Sequence, residues 1–127
     1  MCWLTYHKDN AVIKTAEKNI PVDKLVFSKY KIAYKTLHFG ASYRLGHKYY
    51  AKDKHKKRIK DLTIVISNIA FEIHEGIHTV SRNVWSFMSS GYRIRAYIPK
   101  GAKYAYSPSK HEYVSTELVT LKTVIQA

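Results

Sequence analysis

The sequence predicts an α+β fold: a strand-rich, strongly bent antiparallel sheet with one or two short helices, in a single domain spanning residues 1–127. Three observations carry that expectation. Arg93 to Ile98 alternates, with Ile94, Ala96 and Ile98 on one side and Arg93, Arg95 and Tyr97 on the other, the period of a half-buried strand. Tyr113 to Ile125 alternates over a longer span, Val114, Thr116, Leu118 and Thr120 against Ser115, Glu117, Val119 and Leu121. Ser81 to Ser90 carries helix signals instead: Ser81 suits a cap, Val84, Trp85 and Met88 share a helical face, and Gly91 suits the position after a helix end. A chain of 127 residues with 46% hydrophobic composition is long enough to build one core without staples.

The remaining elements follow in chain order. Residues 1–9 read as an extended or frayed start, with Trp3 and Tyr6 expected to pack on the core. Ala11-Val12-Ile13 reads as a short strand. Lys14 to Asn19 reads as one helical turn, ended by Ile20-Pro21 because the residue before proline avoids the helical region. Pro21 to Tyr34 reads as a strand pair or one long bent strand. Turns are expected at His38-Phe39-Gly40 and Leu45-Gly46. Lys52 to Lys60 reads as an exposed hairpin or mobile loop. Leu62 to Ile66 is apolar enough for a strand buried on both faces. Pro99-Lys100-Gly101 makes a turn, Ala102 to Tyr106 a brief strand, and Ser107 to Lys110 a loop.

The central stretch, Phe71 to Ser81, contains His74-Glu75-Gly76-Ile77-His78, which spells H-E-x-x-H. On a helix, His74 and His78 would share a face and bind one zinc ion, with Glu75 activating its water, as in a zinc hydrolase. The local residues disfavour a helix. Gly76 interrupts it, and Phe71, Ile73 and Glu75 alternate with Glu72 and His74 as in a strand. In a strand the two histidines would lie about 13 Å apart, too far to hold one ion. The alternative is a strand, a turn at Gly76 and a second extended piece.

Charge is the strongest global signal. The chain has 22 Lys and Arg against 9 Asp and Glu, a net charge of +13. Half of those cations fall between residues 29 and 60, where Asp53 is the single acid. Such a concentration points to an anionic partner: a nucleotide, nucleic acid or an acidic protein surface. The alternative is a solvated basic loop. Tyr43 to Tyr50 interleaves aromatics with bases, a pattern that suits base stacking and phosphate neutralisation and equally suits a half-buried strand edge. No apolar run approaches the ~20 residues of a membrane span, and the start has no signal-peptide apolar region. The single cysteine, Cys2, forms no intramolecular disulfide. A soluble, cytoplasmic protein with no membrane partner is expected.

The Met-Cys-Trp start, Ile20-Pro21-Val22, Gly76-Ile77-His78 and Ile98-Pro99-Lys100-Gly101 together resemble a family of small uncharacterised proteins from gut Bacteroidota and their phages. That resemblance covers most of the chain and implies no activity. It does imply a phage-type protein acting on host machinery in the host cytoplasm. A second, looser resemblance is to ADP-ribosyltransferase-like folds. Gly76-Ile77-His78-Thr79-Val80-Ser81 resembles their central element. Ile98-Pro99-Lys100-Gly101, followed by Glu112 or Glu117, resembles the turn before their catalytic glutamate. It implies NAD as cofactor and His78, Ser81 and Glu117 as catalytic residues, in an active enzyme or an inactive relic. The sequence departs from that pattern in the first strand, Leu25-Val26-Phe27-Ser28, which has only Lys24 and Lys29 flanking it, and in lacking E-x-E.

The residues favour a small basic binding protein, non-enzymatic and without a cofactor or metal, that grips an anionic partner. The expected contacts are Arg44, Lys48, Tyr49, Tyr50, Lys54, Lys56, Lys57 and Arg58, with Arg93 and Arg95 on the same surface.

Overall fold

Val22, Ile94, Ala96, Ile98, Val114 and Leu118 are fully buried, and each sits on a strand whose adjacent residues point the other way. Fully burying an Ile, Leu or Val side chain contributes about 1.5–3 kcal/mol, so these positions pin the register of the sheet. The computed structural model describes residues 4–6, 12–26, 32–33, 43–66, 71–73, 75–82, 92–108 and 111–126.

The described strands are β1 (Leu4–Tyr6), β2 (Lys14–Thr15), β3 (Ile20–Val26), β4 (Ile32–Ala33), β5 (Tyr43–Arg44), β6 (Lys48–Tyr50), β7 (Val65–Ile66), β8 (Phe71–Ile73), β9 (Ile77–Ser81), β10 (Tyr92–Ile98), β11 (Lys103–Ser107), β12 (Glu112–Ser115) and β13 (Glu117–Gln126). Eight of them form one antiparallel sheet in the order β2-β11-β12-β9-β3-β10-β13-β6. β1, β8 and β7 form a three-stranded sheet, and β4 and β5 a short parallel pair.

The large sheet curls. β12 and β13 are one stretch of chain bent at Thr116. The first half pairs with β9 and the second with β10, while β3 lies between those two. At the bend the Thr116 N–H donates to the Lys103 carbonyl at 3.0 Å, and the Thr116 carbonyl accepts the Ala51 N–H at 2.9 Å. Thr116 therefore joins the β11 edge to the β6 edge. The register also slips between β10 and β13, Ile94 facing Val124 but Ala96 facing Thr120. Such irregularities bend a strand and increase its twist.

One core gathers Ala16, Val22, Ala96, Ile98, Ala102 and Leu118, with Ile20, Ile77, Tyr104 and Tyr113 packed against it. The other lies where the small sheet meets β11 and β12: Leu62 and Ile73 pack on Ala105 and Val114. Gly76 sits at that seam with φ of +146°, and a Cβ there would collide with Val114 and come within 3.2 Å of Leu62.

The α+β expectation is overturned. Among the described residues there is no helix, and the architecture is an antiparallel sheet. Ser81 closes β9, its N–H donating to the His111 carbonyl at 2.9 Å. The rest of the expected helix, 83–90, lies outside the described residues. The helical turn at Lys14 to Asn19 is also replaced. Lys14 and Thr15 take the edge-strand position beside β11, and Ala16 continues the pairing with Ala102 at 2.8 Å. The preference of Ile20 before Pro21 for extended backbone is met within β3. Val12 and Ile13 precede the strand rather than form it. Leu62 to Ile66 is not buried on both faces: Leu62 is buried, while Thr63 and Val65 are exposed. β10, the turn after it and the two strands flanking Gly76 match the expectation from sequence, with a bend at Glu75 and Gly76 where a turn was expected. The turn expected at 38–40 lies outside the described residues.

Candidate anion-binding face

β6 sorts the aromatic–basic stretch by alternation. Tyr49 turns inward, opposite Leu118, and its hydroxyl accepts the Arg44 N–H at 2.6 Å. Burial raises the Tyr49 phenol above its ordinary value. Lys48 and Tyr50 turn outward. Tyr49 therefore lies behind the surface expected to carry it, packed edge-on against Tyr43 and His47. Arg44 is half-buried on β5, and its carbonyl accepts the Thr120 hydroxyl at 2.7 Å.

The basic run is an ordered hairpin. Lys52 and Arg58 bridge across it, and Ile59 N–H donates to the Ala51 carbonyl at 3.0 Å. Asp53, the lone acid of the basic segment, organises the tip. Its Oδ1 accepts the N–H groups of His55 at 2.8 Å and Lys57 at 3.0 Å, and its carbonyl accepts Lys56 N–H at 2.9 Å. This is the local side-chain-to-backbone bonding that makes aspartate a turn residue. Lys54, Lys56, Lys57 and Arg58 are thus held exposed on a defined backbone.

At the base of the hairpin the Arg58 guanidinium lies 3.9 Å from the Tyr50 ring centre, and Lys48 Nζ lies 5.2 Å from it. Glu117 receives both cations, Lys48 at 3.0 Å and Arg58 at 3.9 Å. The hydrogen bond to Glu117 is the main cause holding the Lys48 ammonium above the usual lysine value. Tyr50 keeps 36% of its surface exposed despite its two cationic neighbours.

Register carries the same face across the sheet. Lys48 pairs with Val119, and Val119 with Tyr97. Arg95 and Arg93 follow Tyr97 on that side of β10, and Arg95 lies directly opposite Asp23 of β3. Arg93 Nη2 reaches Asp23 Oδ2 at 2.8 Å. Arg82 Nε stands 3.5 Å from Oδ1, an ion-pair contact without hydrogen-bond geometry. Arg93 also donates to the Arg82 carbonyl at 3.2 Å, and Arg82 to the Ala96 carbonyl at 3.3 Å. Two arginines, Arg93 and Arg82, thus share one carboxylate that is only 2% exposed. Asp23 and Arg82 had no sequence signal beyond an acid placed inside an apolar strand and a base next to Ser81.

His78 and Ser81 are three residues apart on β9, so they point to opposite faces; His78 pairs with Val114 and Ser81 with Val22. Glu117 lies beyond the Thr116 bend, with its carboxylate on Lys48 and Arg58. The three residues implied by the transferase resemblance do not line one cleft. His74 lies outside the described residues, and His78 stands on a strand rather than a helix. Among the described residues no three His, Cys, Asp or Glu side chains group as metal ligands. Among them, too, no helix is long and apolar enough to cross a membrane. No protein-family model, no curated protein and no solved structure matches the chain.

Proposed function

We propose that this protein is a non-enzymatic binder of nucleic acid, and that the 48–60 hairpin is its main grip. One observation carries the reading: an ordered hairpin presents exposed lysines at its tip and an exposed tyrosine stacked with Arg58 at its base. Lysines and arginines on a fixed backbone neutralise phosphates and release counterions. A tyrosine with an exposed face adds stacking that any base satisfies. Arg95 stands on the same side of β10, whereas Arg93 is held in its ion pair with Asp23 and contributes little free charge to the grip.

The test compares the wild type with a triple variant, Lys54→Ala, Lys56→Ala and Lys57→Ala. All three residues are exposed, so folding should be kept. Affinity for a short oligonucleotide should fall at least about tenfold. Equal affinity in the two proteins would overturn the reading. Binding of an acidic protein with no binding of any oligonucleotide would replace it.

A further inference from the structure

A second aromatic surface shares no residue with the hairpin. Tyr104 and Tyr106 on β11 and Tyr113 on β12 occupy one face of the sheet by register. The Tyr113 ring lies 4.4 Å from Tyr106 and 6.1 Å from Tyr104, tilted to each. Edge strand β2 runs beside them, Lys14 facing Tyr104. Between β2, the bend that follows it and the tyrosines is an open groove of about 920 Å³, lined by Lys14, Glu17, Lys18, Ile20, Tyr104 and Tyr113. Lys14, Glu17 and Lys18 are exposed, while both tyrosines are half-buried.

We infer that this groove binds a nucleobase carrying a phosphate. The two tyrosine rings and Ile20 form its apolar side, and packing against the core holds those rings in place. A flat base gains stacking there without ordering a flexible side chain. Lys14 and Lys18 supply two cations against the single carboxylate of Glu17, which favours a phosphate on the ligand. Glu17 in turn accepts from an exocyclic amine or a ribose hydroxyl. A free nucleotide and one unit of a single strand share this chemistry. The strand version rests on the nucleic-acid reading above; the free-nucleotide version does not.

Photo-crosslinking tests the inference with two probes: a short oligonucleotide containing 5-iodouracil, and 5-iodouridine monophosphate, each followed by peptide mapping. Labelling of Tyr104 or Tyr113 is the expected result. The oligonucleotide alone labelling them identifies a strand, and the monophosphate labelling them identifies a free nucleotide. Tyr104→Leu should weaken binding about 5- to 160-fold, the range for losing one base stack, while Tyr104→Phe retains it. If Tyr104→Leu fails to fold, Lys14→Ala with Lys18→Ala carries the test, because both side chains are exposed. Labelling confined to Tyr50 and the hairpin, or wild-type binding by Tyr104→Leu and by the double lysine variant, would overturn the groove and leave the hairpin reading standing. Groove labelling that persists while the hairpin triple variant binds oligonucleotide as tightly as wild type would do the reverse.

Discussion

The Arg58 guanidinium stacks 3.9 Å from the Tyr50 ring centre, and the same arginine lies 3.9 Å from the Glu117 carboxylate that Lys48 reaches at 3.0 Å. Glu117 therefore restrains two cations at the base of the hairpin and partly cancels their charge. Exposed ion pairs of this kind are screened by solvent and contribute little to stability. Glu117→Gln should leave the fold intact and tighten oligonucleotide binding about two- to fivefold at low salt. Weaker binding would mean that Glu117 positions the cations more than it neutralises them.

Asp23 is the counterion of the arginine cluster. Removing one partner of a buried pair leaves its charge uncompensated, at a cost of about 3–5 kcal/mol. Asp23→Ala should lower stability by that order, because Arg93 and Arg82 both lose their carboxylate. Chemical denaturation checks it. A loss under about 1 kcal/mol, typical of an exposed pair, would show that the cluster relaxes into solvent.

Gly76 occupies a left-handed backbone conformation against Val114 and Leu62. Gly76→Ala adds both backbone strain and a clash at the seam of the two sheets. A cost of about 2–4 kcal/mol follows, readable as a large drop in thermal midpoint. An unchanged midpoint would contradict the close packing of this seam.

Stability should fall in strong alkali. Burial raises the Tyr49 and Tyr113 phenols above their ordinary value of 10.0, and Glu117 raises Lys48 above 10.5. The folded protein then keeps protons that the unfolded chain releases, so stability is fully present below about pH 10 and lost as pH rises through the raised values. Tyr113→Phe should show a shallower alkaline loss in unfolding curves. An identical slope would remove Tyr113 from this account.

Much of the sheet was legible because its strands alternate strictly. Ile94, Ala96 and Ile98 are all 0% exposed, and β10 ends at Ile98 as expected and starts one residue earlier, at Tyr92. The bend at Thr116 was not legible, because it depends on backbone bonds to Lys103 and Ala51, which are remote in sequence. The failed helical turn at Lys14 to Asn19 has a similar cause: a polar stretch of weak propensity was claimed by the free edge of β11. For the site, charge density picked out the hairpin lysines but not which aromatic faces out. Only the register of β6 against β13 separates Tyr50 from Tyr49. The groove tyrosines escaped notice because Tyr104 and Tyr113 converge through pairing of β11 with β12, and the lysines beside them come from β2 and the bend after it.

The most direct test of the hairpin is the salt dependence of oligonucleotide binding, measured for the wild type and for the Lys54, Lys56 and Lys57 triple alanine variant. If the hairpin grips phosphates, affinity falls steeply as salt rises, and the variant's logarithmic slope is shallower by about one for each lysine removed. An affinity indifferent to salt, or the same slope in both proteins, would contradict the account.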